Sequence, residues 1–112
     1  MEPNETLGQF EQLVLTAVYM LNGQGYTVTI CDEVNKMTQP KRVMVGTVHV
    51  SLVRMLGKGL LSSHFANPTA RRGGKAKRYF QVTAEGERAL RHAMATAKLM
   101  SDRLDGLKGS LT

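Results

Sequence analysis

The apolar residues of this chain recur at spacings of three and four as far as Leu56. The pattern changes period between Leu60 and Val82, and the wider spacing returns from Leu90 onward. A helix repeats about every 3.6 residues and a strand every two, so this order predicts helices, a short β unit and a further helix. Leu7, Phe10, Val14, Ala17 and Leu21 mark the first helix, joined by Leu13, Val18 and Met20. Thr6-Leu7-Gly8-Gln9 fits a capping box with Thr6 as cap, and Asn22-Gly23 fits a helix stop. A second helix places Tyr26, Ile30, Val34 and Met37 on one side and ends at Pro40. Its opening Thr27-Val28-Thr29-Ile30 is β-branched and weakly helix-forming, so packing must hold it. A third helix turns Val45, Val48, Leu52, Met55 and Leu56 inward and stops at Gly57-Lys58-Gly59.

Leu60 to Ala66 and Lys77 to Val82 then read as two strands, with Tyr79 and Phe80 on opposite faces of the second. The ten residues between them, Asn67 to Ala76, make a long hairpin loop, of the kind that commonly carries function. Thr83 caps a last helix, with Glu85 and Glu87 in its first turn. Along it Leu90, Ala93, Ala97, Met100, Leu104, Leu107 and Leu111 form a heptad seam, frayed near Gly106 and Gly109. Three helices and a hairpin with a basic loop make a winged helix-turn-helix. The expected class is mainly α with a small β-hairpin (α+β). The expected division is a winged helix-turn-helix DNA-binding part over residues 1–82 and a C-terminal dimerisation helix over residues 83–112, in one compact unit.

Charge says what such a fold would meet. The chain has 112 residues, a single domain by length, and carries 15 basic and 9 acidic residues. From Val34 to Ala84 there is no acid, yet ten cations: Lys36, Lys41, Arg42, Arg54, Lys58, Arg71, Arg72, Lys75, Lys77 and Arg78. A surface with one sign over so long a stretch suits a polyanion. The alternatives are a merely basic surface and affinity for anionic lipid. In the wing, Arg71, Arg72, Lys75, Lys77 and Arg78 are candidate DNA contacts, and Gly73-Gly74 allows a tight turn close to phosphate. Thr47, Val50, Ser51 and Arg54 are expected on the exposed face of the third helix, where Arg54 and Ser51 can meet base edges or phosphate. His49 near the helix start, and Lys41 and Arg42 leading into it, are candidate backbone contacts.

Other chemistry finds little support. A lone cysteine, Cys31, excludes an internal disulfide framework. His64 and His92 have no partner at metal-ligand spacing. No carboxylate pair, Ser/His/Asp set or phosphate loop occurs, so no enzyme, cofactor or metal is expected. The nearly apolar run from Leu13 to Leu21 is too short to span a bilayer. The first basic residue is Lys36, unlike a secretory leader. A cytoplasmic location is the expectation.

These residues resemble the PadR-like transcriptional regulators, in the compact subclass with one C-terminal helix. The resemblance runs from Leu7 to about Leu104. It is carried by Leu7-Gly8-Gln9-Phe10-Glu11-Gln12-Leu13-Val14-Leu15, by Val45-Gly46-Thr47-Val48-His49-Val50-Ser51-Leu52-Val53-Arg54-Met55-Leu56 and by Lys58-Gly59-Leu60-Leu61. Arg72-Gly73-Gly74-Lys75-Ala76-Lys77-Arg78-Tyr79-Phe80 and Thr83-Ala84-Glu85-Gly86 complete it. Met44 stands where that family usually has Ser, His49 where it has Tyr, Gly57 where it has an acid and Thr27 where it has Gly. The resemblance implies a dimeric repressor whose last helix packs on its partner's first helix. The interface would then draw on Phe10, Val14, Leu90, Ala93, Ala97, Met100 and Leu104. It also allows a small-molecule effector between the dimer helices. No Trp and 5% aromatic residues offer little for a stacking pocket. A non-specific nucleic-acid or anionic-surface binder is the remaining alternative.

Overall fold

The computed structural model describes residues 7–66 and 77–109. Five helices and two strands follow in the order α1 (Gln9–Leu21), α2 (Thr27–Thr38), α3 (Val45–Gly57), β1 (Leu61–Phe65), β2 (Arg78–Val82), α4 (Ala84–Arg103) and α5 (Asp105–Gly109) among these residues. The strands pair antiparallel with Leu61 opposite Val82 and Phe65 opposite Arg78. This is the winged helix-turn-helix expected from the change of apolar period. The expected hairpin loop, with Arg71, Arg72 and Lys75, lies outside the described residues.

Local chemistry sets the boundaries. Gly8 is the N-cap of α1, and its N–H donates to the Glu11 carboxylate at 3.1 Å. The helix therefore starts two residues later than a cap at Thr6 predicts, with Glu11 rather than Gln9 reaching back; Thr6 is outside the described residues. Asn22, in left-handed backbone with φ 51, ends α1. The Tyr26 N–H donates to Thr29 Oγ1 at 3.0 Å, which gives the β-branched start of α2 a partner. Thr83 caps α4 by accepting the Gly86 N–H at 3.1 Å, while its hydroxyl donates to the Gly59 carbonyl at 2.7 Å. A Cβ at Gly86 would run into the Leu60 carbonyl oxygen, so glycine is what lets α4 start against the hairpin.

The core joins Val14, Leu15, Ala17 and Val18 of α1 with Ile30, Cys31 and Val34 of α2. Val48, Leu52 and Met55 of α3, and Leu61 and Phe80 of the hairpin, complete it. Each large side chain of this kind contributes about 1.5–3 kcal/mol on burial. Several expectations change here. Val14 is fully buried in the chain's own core, so it is not available to a dimer interface. Ser51 is buried among the inward residues of α3, not on its exposed face. The reason is helical phase: Ser51 lies three residues after Val48 and four before Met55, the spacing of a single face. Val45 and Met37, expected inward, are exposed because they sit at helix ends that no other element covers. The heptad seam is also shorter than expected. α4 stops at Arg103, the Leu104 N–H closes the last turn on Met100 and Ser101, and Leu111 lies outside the described residues.

Candidate nucleic-acid interface

α3 packs its inner face on α1, α2 and β1 and leaves the other side open. At about 100° per residue, Gly46, Val50, Val53 and Gly57 project within roughly 60° of one another, away from Val48, Leu52 and Met55. Val50 is 55% exposed and Val53 46%. His49 flanks this ridge on one side, Thr47 and Arg54 on the other, all exposed. The helix opens with Met44 as an extended N-cap without a side-chain hydrogen bond, so its first-turn N–H groups have no capping side chain.

Arg54 is close to the C-terminal end of α3, and its charge acts on Glu11 of α1. Lys58 Nζ, just beyond the helix, lies 3.0 Å from Glu11 Oε2. Burial pushes the Glu11 carboxyl upward. The hydrogen bonds from Lys58 and the Gly8 N–H, with the charges of Lys58 and Arg54, more than offset this and hold it below the ordinary carboxylate value. The pair ties the end of α3 to the start of α1.

The approach to α3 is fixed by a side chain that sequence reasoning missed. Asn35 Oδ1 accepts the Val43 N–H at 2.6 Å, and Asn35 Nδ2 donates to the Val43 carbonyl at 3.3 Å. The Cys31 thiol donates to that carbonyl at 3.4 Å. One amide thus pairs with both backbone groups of Val43, two residues before α3, and sets where the helix enters. An Asn in mid-helix, where the residue is a weak former, was the available signal. Lys41 and Arg42 are exposed in the same turn. Together with Asp32, Asn35, Lys36, Gln39 and Pro40 they line an open depression of about 440 Å³.

At the base of the wing, Lys77 Nζ stands 5.0 Å from the Tyr26 ring centroid. Tyr26 meets Tyr79 edge-on at 5.7 Å, and Tyr79 stacks with His64 at 5.8 Å. Arg78 Nε donates to Ser63 Oγ at 2.9 Å, and its guanidinium lies 5.6 Å from the ring centroids of both Phe65 and Phe80. Aromatic rings therefore lie beside both cations at the loop end of the hairpin. The strand register that brings His64 opposite Tyr79 was not legible without the pairing. Of the residues expected at a dimer interface, Phe10, Leu90 and Ala93 are half-buried, while Ala97, Met100 and Leu104 are exposed.

No protein-family model matches the chain. A search of curated proteins also finds no match. Solved structures do resemble it. A PadR family transcription regulator from hypervirulent Clostridium difficile R20291 superposes with a TM-score of 0.74 at 20% identity, over 89% of this chain and 98% of that one. A PadR-like transcription factor from Bacteroides fragilis has a TM-score of 0.74 at 20% identity, over 89% and 90%. A PadR family transcriptional regulator from Eggerthella lenta DSM 2243 has 0.69 at 24% identity, over 89% and 81%. Each of these likenesses covers 89% of this chain. The chain has the winged helix-turn-helix fold of the PadR-like transcriptional regulators.

Proposed function

We propose that this chain is a DNA-binding transcriptional regulator of the PadR-like kind, a cytoplasmic repressor that acts as a homodimer on an inverted-repeat operator. The observation that carries the reading is the open face of α3, set between exposed cations before it and at the wing base, in a segment that has no acid from Val34 to Ala84. α3 enters the major groove by its N-terminal half. Lys41 and Arg42 meet the phosphate backbone beside it, as do Lys77, Arg78 and the loop cations Arg71, Arg72 and Lys75. Thr47 and His49 supply the polar contacts next to the ridge. The expected dimer forms through residues 83–112, and its support is apolar surface: Met94, Leu99, Met100, Leu104 and Leu107 are more than half exposed.

In vitro selection from random duplexes, followed by sequencing, tests this reading. The expected product is a two-fold-related motif with half-sites about one helical turn, roughly 34 Å, apart. Equal retention of all duplexes overturns it.

A further inference from the structure

The ridge of α3 is unusual for a helix face in water. Gly46, Val50, Val53 and Gly57 are poor helix formers, and two of them expose apolar side chains that gain nothing from solvent. The only charged side chain of α3, Arg54, is in its last turn. The part of the helix that leads into a groove therefore presents valine and glycine at its midline, with Thr47 and His49 as its polar flanks. A valine side chain has no donor or acceptor. Among the groups that base pairs expose in the major groove, the one it can recognise is the C5-methyl of thymine. Among the described residues a Cβ at Gly46 meets nothing within 4 Å, so no contact among them requires glycine there. Its lack of a side chain instead lets the backbone come close to an outside surface. The exposed Lys41 and Arg42, a few residues before the helix, suit the phosphate rims of such a groove.

We propose that Val50 selects DNA half-sites by apolar contact with a thymine C5-methyl, and that Gly46 lets α3 seat deeply enough for that contact. This inference rests on the DNA-binding reading above. Val53 lies one turn on along the same ridge and extends the apolar contact, while Thr47 and His49 supply the hydrogen bonds.

The experiment uses the full chain and the duplex recovered by the selection. Each thymine of one half-site is replaced in turn by deoxyuridine, which removes a methyl and leaves every hydrogen-bonding group in place. At one thymine the affinity of the wild-type protein should fall about fourfold, the value for one buried carbon group. In Val50→Ala that penalty should vanish, while the melting temperature stays near that of the wild type because the side chain is exposed. Gly46→Ala, which fits the free helix, should lose specific binding by more than tenfold without unfolding. Three results overturn the proposal while leaving DNA binding intact: a recovered motif without thymine, no uracil effect at any position, or a uracil penalty that persists unchanged in Val50→Ala. A selection that enriches no sequence removes the DNA-binding reading itself, and the proposal with it.

Discussion

At the scale of single residues, the half-buried Asn35 and the buried Ser51 near α3 behave oppositely. Asn35 satisfies both backbone groups of Val43. Ser51 Oγ is buried with no hydrogen-bond partner. A buried polar atom without a partner costs free energy, and removing one half of a made bond leaves the other half stranded. Asn35→Ala should therefore destabilise the protein by about 1–3 kcal/mol, since the Val43 N–H loses its acceptor. Ser51→Ala should be neutral or stabilising by up to about 1 kcal/mol, because alanine also favours the helix. Urea unfolding of both variants checks this, and a large loss on Ser51→Ala contradicts the assignment of its hydroxyl. Ser51 could not be placed by its type, since serine is mostly exposed. Its phase between Val48 and Met55 was the better guide.

At the scale of elements, the ion pair of Glu11 and Lys58 joins α1 to the end of α3 across 47 positions of sequence. The carboxyl of Glu11 is held below its ordinary value of 4.5. A depressed carboxylate adds stability above the unfolded-state pKa, and that contribution disappears as pH falls through the folded-state value. Wild-type stability should thus fall as pH drops below about 4.5, and Glu11→Gln should show a flatter profile over that window. The contribution at neutral pH should stay below about 1 kcal/mol, as expected for a pair in partial contact with water. Thermal melts of both proteins between acid and neutral pH provide the measurement. Identical pH profiles would mean that the pair holds nothing. Neither residue marks the other in sequence, since their meeting depends on how α3 crosses α1.

At the scale of the whole molecule, α4 is the longest element among the described residues, with 20 residues. The longest dimension is 59 Å against 20 Å for the shortest. Only the first part of α4 packs on the core, through Ala89 and Leu90. Met100 and Leu104 are 55% and 51% exposed beyond it. With a second copy as the expected cover, Met100→Glu and Leu104→Glu should each weaken self-association by at least about tenfold, from the loss of one large buried side chain. Sedimentation of the wild type and both variants, with circular dichroism to confirm unchanged helix content, reads this directly. A wild-type protein that stays monomeric at tens of micromolar, where a weak dimer dissociates, contradicts the expected assembly.

Apolar periodicity by itself determined which segments are helices and which are strands, because alternation and three-and-four spacing are properties of the chain written in one dimension. It also placed the cap at Thr83 and the end of α1 at Asn22, where one residue's own chemistry suffices. Charge order located the basic segment for the same reason. Tertiary structure decided what a single helix face cannot know about its neighbours. It closed Val14 into the chain's own core, left Val45 outside, coupled Asn35 to Val43 and paired Lys58 with Glu11. Burial and pairing depend on which element arrives from elsewhere in the chain to cover a surface, and helix packing, not residue type, settles that.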